Sequence, residues 1–409
     1  MSKLVKRLCY KFSLKTISPL SIGGSYTEET DHDIISYADN TPFIPASTIA
    51  GCFFTKDEAY HNAFGIVSLG NSKNKDLAQS SPLFVSDGLF TEGDIKLGTR
   101  DGNALENDGE LYKQAKDTAK FNSQIIMNNQ AWSFYVTITI TDRSKNDEAY
   151  YDEAIRVIAG RIKNGIYRLG YKQNRGYGQQ KLIKVVKKSF EKDNYYEYLN
   201  FDGYSFVGEN IDINDVNDDS ISLIMPVRAI SPICIRDYAA IKHVPDYAQI
   251  RGLDENGKDS LAAIPGTSLN GVIQGAAIRI ANEMHLGGLT KLEEFKSYVI
   301  DEMYLKGSFL TQSRNRLDRF SGATIDGALY TEQIFTPTKD STGEIKIRFK
   351  HNNLKLIALF YLALCEIKEG YASVGGNEGI GRGIFELNGE IEIKGTSLNQ
   401  LAEALREEL

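Results

Sequence analysis

The chain carries one ordered set of short motifs twice, and this duplication constrains its fold more than any other feature. Ile44-Pro45-Ala46-Ser47-Thr48-Ile49-Ala50-Gly51 returns 220 residues later as Ile264-Pro265-Gly266-Thr267-Ser268-Leu269-Asn270-Gly271. Val85-Ser86-Asp87 through Gly93 returns 214 residues later as Val299-Ile300-Asp301 through Gly307. Ser18-Pro19-Leu20-Ser21-Ile22 is matched by Ser231-Pro232-Ile233-Cys234-Ile235, and Leu169-Gly170 through Gly176-Tyr177-Gly178 by Val374-Gly375 through Gly381-Arg382-Gly383. Four pairs in one order at a nearly constant offset predict a duplicated domain. The expected division is 1–190 and 221–409, with 191–220 as a linker that matches neither repeat and has some local structure of its own.

At 409 residues, 42% of them hydrophobic and 25% charged, each half is long and apolar enough to build its own core. The four cysteines, Cys9, Cys52, Cys234 and Cys365, are scattered without a Cys-x-x-Cys pair, which argues for a reducing compartment and against structural zinc. No signal-like segment or membrane-length apolar run occurs, so a soluble cytoplasmic protein away from membranes is expected. Net charge is −7, yet Ala154 to Lys188 holds ten basic residues and no acidic one. A charge run is usually a solvated face. Because this one surrounds a glycine loop, phosphate binding is the stronger reading.

Each half reads as strand, helix, strand, strand, helix, strand. In the first, Tyr10, Phe12 and Leu14 alternate on an opening strand, and Ala154, Ile155, Ile158 and Ile162 form a helical stripe over Glu153–Lys163. Trp132–Ile140 and Lys181–Val186 are further strands. In the second half the corresponding elements are Ile221–Val227, Ser268–Met284, Ile345–Phe349, Leu354–Ile367 and Ile384–Ile393. This α+β order is the ferredoxin-like (RRM-like) pattern. Polar excursions interrupt it at Arg100–Asn122 and Arg314–Ala328.

The glycine loops, Gly170–Gly178 and Gly375–Gly383, allow close backbone approach and positive φ, and amides beside Lys172, Arg175 or Arg382 suit phosphate. Neither loop has the strand-before, helix-after setting or the Lys-Ser/Thr of a Walker motif, which excludes a nucleotide-hydrolase loop. An extended polyphosphate such as RNA fits better.

Ser18-Pro19-Leu20-Ser21-Ile22-Gly23-Gly24, Phe43-Ile44-Pro45, Ala63-Phe64-Gly65, Val85-Ser86-Asp87 and Arg175-Gly176-Tyr177-Gly178 together resemble the RAMP superfamily of CRISPR systems. The likeness is to the backbone subunits of type III effector complexes, and Arg314–Ala323 with Ala328-Leu329-Tyr330-Thr331-Glu332 extends it into the second half. Ala46 replaces the family's glycine after proline, and the second glycine loop lacks the Arg-Gly-Tyr order.

What the resemblance implies is two tandem ferredoxin-like RAMP domains that bind guide RNA, with complementary target RNA and other CRISPR effector subunits as partners. The excursions would be thumbs that interrupt pairing. The RNA-binding positions carried over are Lys172, Arg175, Gly176, Tyr177, Gly178, Gly375, Gly376 and Arg382 of the loops. Ser47, Thr48, Thr267 and Ser268 at the helix starts, and Arg100, Arg314 and Arg316 on the thumbs, complete the set.

Some members cut target RNA with an aspartate in the loop before the Ile-Pro-Gly-Ser helix. The matching positions are Asp31 and Asp246, each four residues before an isoleucine, Ile35 and Ile250. An aspartate beside a kinked linkage can hold Mg²⁺, so Asp31 is the expected metal ligand, with Asp33 either sharing the metal or simply solvated. Two alternatives stay open: a non-catalytic structural or capping subunit, and a metal-independent guide-precursor endoribonuclease that uses histidine. The last ranks lowest, since the chain has five histidines and none beside either glycine loop.

Overall fold

The computed structural model describes residues 3–24, 30–54, 81–91, 93–105, 115–144, 146–213, 216, 220–237, 245–286, 298–376 and 378–406. The motif Ala63-Phe64-Gly65 lies outside them. The chain forms two compact units. One comprises residues 1–98, 124–173 and 177–218, and the other 99–123, 174–176 and 219–409.

In chain order the first half forms β1 (Leu4–Thr16), β2 (Phe43–Ile44), α1 (Ala46–Ile49, continued as a wider turn to Phe54), β3 (Leu83–Val85) and β4 (Gly88–Phe90). There follow β5 (Leu97–Leu105), β6 (Ala115–Ile126), β7 (Ala131–Thr141), α2 (Glu148–Lys163), β8 (Gln180–Phe190) and β9 (Glu209–Asn210). The main sheet has the order β2-β4-β7-β1-β8-β9, with β3 also on β7, while β5 and β6 pair as a separate hairpin. The opening strand thus lies between the two that flank α2, as the ferredoxin-like order requires.

Alternation explains the packing. Leu8, Tyr10, Phe12 and Leu14 of β1 and Trp132, Phe134, Val136 and Ile138 of β7 are all buried on one face with the Ala154, Ile155, Ile158 and Ile162 stripe of α2. Phe12 sits directly across from Phe134, with ring centroids 4.7 Å apart. Each such buried side chain contributes roughly 1.5–3 kcal/mol. The helix begins five residues before the predicted Glu153 because Asp147 caps it, its carboxylate accepting from Tyr150 N at 3.0 Å.

The second half forms β10 (Ile221–Ala229), β11 (Arg236–Asp237), β12 (Tyr247–Gln249), β13 (Arg251–Leu253), β14 (Asp259–Ile264), α3 (Gly266–Glu283), β15 (Tyr298–Ile300) and β16 (Met303–Leu305). Then come β17 (Gly307–Arg314), β18 (Tyr330–Pro337), β19 (Thr342–Phe349), α4 (Leu354–Lys368), β20 (Phe385–Leu387), β21 (Glu392–Lys394) and α5 (Leu398–Arg406). Its main sheet runs β15-β19-β10-β20, with β21 also on β10, which is the strand order of the first unit over again. Asn353 caps α4 by accepting from Leu356 N at 3.1 Å. The last strand, predicted as continuous over Ile384–Ile393, is broken into β20 and β21 at Gly389, whose φ of 141° interrupts the pleat.

Residues 191–220 do more than link. β9 extends the first sheet beside β8, and Phe190, Tyr198, Phe201 and Phe206 form a small cluster with Cys9 and Val186 on the sheet face away from α2. Lys11 Nζ donates to the carbonyls of Tyr204 and Phe206 at 3.1 and 3.2 Å, and Tyr204 OH donates to Asp87 O at 2.8 Å. This face, open in a bare ferredoxin-like sheet, is covered here.

Candidate nucleic-acid interface

The two glycine loops are built alike, and each is docked on the Ser-Pro motif of its own repeat. In the first, Gly178 N donates to Pro19 O at 2.8 Å, Tyr171 N to Ser21 O at 2.8 Å, Leu169 N to Gly178 O at 2.9 Å and Gln179 N to Ser18 Oγ at 3.0 Å. In the second, Gly383 N donates to Pro232 O at 2.9 Å, Gly376 N to Cys234 O at 2.9 Å, Val374 N to Gly383 O at 2.9 Å and Ile384 N to Ser231 Oγ at 2.8 Å. Glycine is required at the closing position: Gly178 and Gly383 have φ of 76° and 73°, and a Cβ there would lie 1.8 and 2.1 Å from the carbonyls of Leu169 and Val374.

The same scaffold carries different side chains. In the first loop Arg175 is exposed, and Lys172 is half-buried with Nζ 5.8 Å from the centroid of the buried Tyr177 ring. Lys181 and Lys184 on β8 are also exposed. In the second loop Arg382 is buried. Its Nη2 donates to Glu332 Oε1 at 2.6 Å and its Nη1 to Glu332 Oε2 at 3.0 Å, while Gln312 and Arg314 donate to Oε1 at 2.8 and 3.3 Å. Burial opposes ionisation of Glu332, but the hydrogen bonds and charge of its partners prevail and hold its carboxyl at about 2. Sequence reasoning missed Glu332 as a partner, because the pair spans 50 residues and only the fold joins them.

The other basic candidates divide similarly. Arg100 is buried with Nη2 3.2 Å from Glu302 Oε1, and burial raises the Glu302 carboxyl even though the arginine opposes the shift. Arg316 is exposed in the loop between β17 and β18. That loop is ordered by Asp318, which accepts from Phe320 N, Ser321 N and Ser321 Oγ at 3.0, 2.8 and 2.8 Å, and it leaves the Phe320 side chain fully exposed.

Ser47 and Thr267 are exposed and Thr48 and Ser268 half-buried in the first turns of α1 and α3, where neither helix has a side-chain cap. The first amide of α1 is satisfied from elsewhere: Asp87 Oδ1 accepts from Ala46 N at 2.7 Å. The repetition of Asp87 as Asp301 was the sequence signal for that residue.

Asp31 is exposed in a loop whose main chain is fixed. His32 O accepts from Gln124 N at 2.8 Å, Asp33 O accepts from Gly24 N at 2.9 Å, and the half-buried Asp33 carboxylate accepts from the Thr30 hydroxyl. Among the described residues no three His, Cys, Asp or Glu side chains form a metal cluster. Magnesium bound through one carboxylate and substrate phosphates needs no such cluster. Asp246 is exposed too, but its Oδ2 accepts from Thr331 N at 2.6 Å and from Thr331 Oγ1 at 3.0 Å, which lowers its pKa and makes it the cap of β18.

A mixed α/β chain with two antiparallel main sheets is the class that the fold defines. Residues 13–181 match the model of the RAMP superfamily, which supports placing that segment in the superfamily. Comparison with curated proteins gave no match. No helix among the described residues is long and apolar enough to cross a membrane.

Proposed function

We propose that this chain is a guide-RNA-binding backbone subunit of a type III CRISPR ribonucleoprotein, made of two tandem RAMP domains. The observation that carries the reading is the glycine loop held on the Ser-Pro motif by the same three hydrogen bonds in both halves and closed on itself by a fourth, with Arg175 exposed on the first. The docked loop presents the exposed Arg175 guanidinium, a charge along which a phosphate chain can lie. The acidic, aromatic segment over the sheet face directs RNA to the loops instead of the sheet.

The β17–β18 loop serves as a thumb. Phe320 offers a base a π face, and Arg316 offers its phosphate a charge.

Asp31 supports target cleavage. Mg²⁺ held there would neutralise phosphate charge and favour attack by a 2′-hydroxyl or water. Asp31 reaches solvent beside His32 and Asp33, whose carbonyls are held by Gln124 N and Gly24 N. Asp246 spends one carboxylate oxygen on Thr331, which weakens it as a metal ligand.

The test is an assembled complex with its guide, given labelled complementary RNA and Mg²⁺. The reading expects cuts that vanish in Asp31→Ala and persist in Asp246→Ala. Unchanged cutting in Asp31→Ala would leave this chain a scaffold.

A further inference from the structure

Equivalent arginines in the two repeats occupy opposite environments. Arg100 and Arg314 open the two excursions 214 residues apart. Arg100 is buried on Glu302, whereas the Arg314 side chain is 31% exposed and leads to the exposed Arg316 and Arg319. In the glycine loops the pattern reverses: Arg175 is exposed, and Arg382 is buried with both ends on Glu332. Among the described residues neither Arg175 nor Arg316 has a carboxylate partner.

We propose that the two repeats divide the work of holding single-stranded RNA: the first grips phosphate through its glycine loop, the second through its β17–β18 loop. The second glycine loop is then a brace. This rests on the RNA-binding reading above and deepens it.

The chemistry of the brace follows from its partners. Between Tyr371 and Gly383 the only basic residue is Arg382, and Glu378 adds an acid. For Arg382 to take a phosphate, it would have to leave two charge-assisted hydrogen bonds and abandon a buried carboxylate, and a phosphate entering that site would meet the negative charge of Glu332. Glu332 also holds Gln312 and Arg314 at the end of β17, so the network ties the glycine loop to the base of the hairpin. Arg382 and Glu332 are therefore positioning residues. They fix where the tip carrying Arg316, Arg319 and Phe320 projects. Of the two acids in that loop, Asp318 is engaged by three local donors and Asp326 is exposed.

Fluorescence anisotropy of a labelled oligouridylate, titrated with the full chain at several salt concentrations, tests this. Each phosphate contact on a single strand contributes about 0.7 to the slope of log K against log salt. Arg175→Ala and Arg316→Ala are each expected to lower the slope by about 0.7. The pair Arg382→Gln with Glu332→Gln, which leaves net charge unchanged and lets one amide donate to the other so that the brace stays closed, is expected to retain the wild-type slope. A slope that falls as far in that pair, or that does not move in Arg175→Ala and Arg316→Ala, would overturn the proposal. The two exposed single variants decide it even if the buried pair fails to fold. Wild-type binding that ignored salt would instead overturn the RNA-binding reading, and the division of labour with it.

Discussion

Glu332 receives both ends of the Arg382 guanidinium, at 2.6 and 3.0 Å, with its own side chain fully shielded from solvent. Removing one member of a buried pair strands the other and typically costs about 3–5 kcal/mol. Arg382→Ala is therefore expected to lower unfolding free energy by about that amount in urea denaturation. Replacing both residues with methionine is expected to cost less, because no charge is left unpaired.

The same pair sets an acid limit. Glu332 has a folded pKa of about 2 against an ordinary 4.5, so its contribution is fully present above pH 4.5 and is lost as pH falls toward 2. Urea midpoints measured from about pH 6 down to about pH 3 are expected to drop more steeply in wild type than in Glu332→Gln.

Glycine substitutions should separate two kinds of position. At Gly178 and Gly383 an added methyl meets a carbonyl at 1.8 and 2.1 Å with positive φ, so Ala there is expected to lower the melting temperature clearly. Gly271 and Gly275 lie within α3 with no atom within 4 Å of a new Cβ. Ala at either is expected to stabilise by roughly 0.5–1 kcal/mol.

Asp87 joins two repeated motifs by accepting from Ala46 N at 2.7 Å and from Tyr37 OH at 3.3 Å. Asp87→Ala is expected to cost about 1–2 kcal/mol and Asp87→Asn less, since the amide keeps an acceptor oxygen. Thermal melts of the two variants check the order.

Much of the fold was legible because its signals are local. The Ala154 to Ile162 stripe, the alternation of Tyr10, Phe12 and Leu14, and the repeated motifs read directly as a helix, a strand and a recurring strand order. The β20–β21 break was not, because Gly389 in an otherwise alternating run gives no sign of its φ. Nor was the packing of Tyr198, Phe201 and Phe206 on the first sheet, since an acidic, asparagine-rich segment reads as solvated. At the site, the glycine loops and Ser-Pro motifs were visible separately, while their docking depends on the fold. Arg100 and Arg382 looked like phosphate ligands because Glu302 and Glu332 are remote in sequence, and burial is a property of the folded chain.

The central claim is that RNA lies along the first glycine loop and the β17–β18 loop and not on the sheet. Photo-crosslinking of RNA carrying 4-thiouridine to the full chain, with adducts mapped by peptide mass spectrometry, tests it most directly. The account predicts adducts within residues 171–178 and 315–329. Adducts confined to the segment over the first sheet, around Tyr196 to Val207, would contradict it.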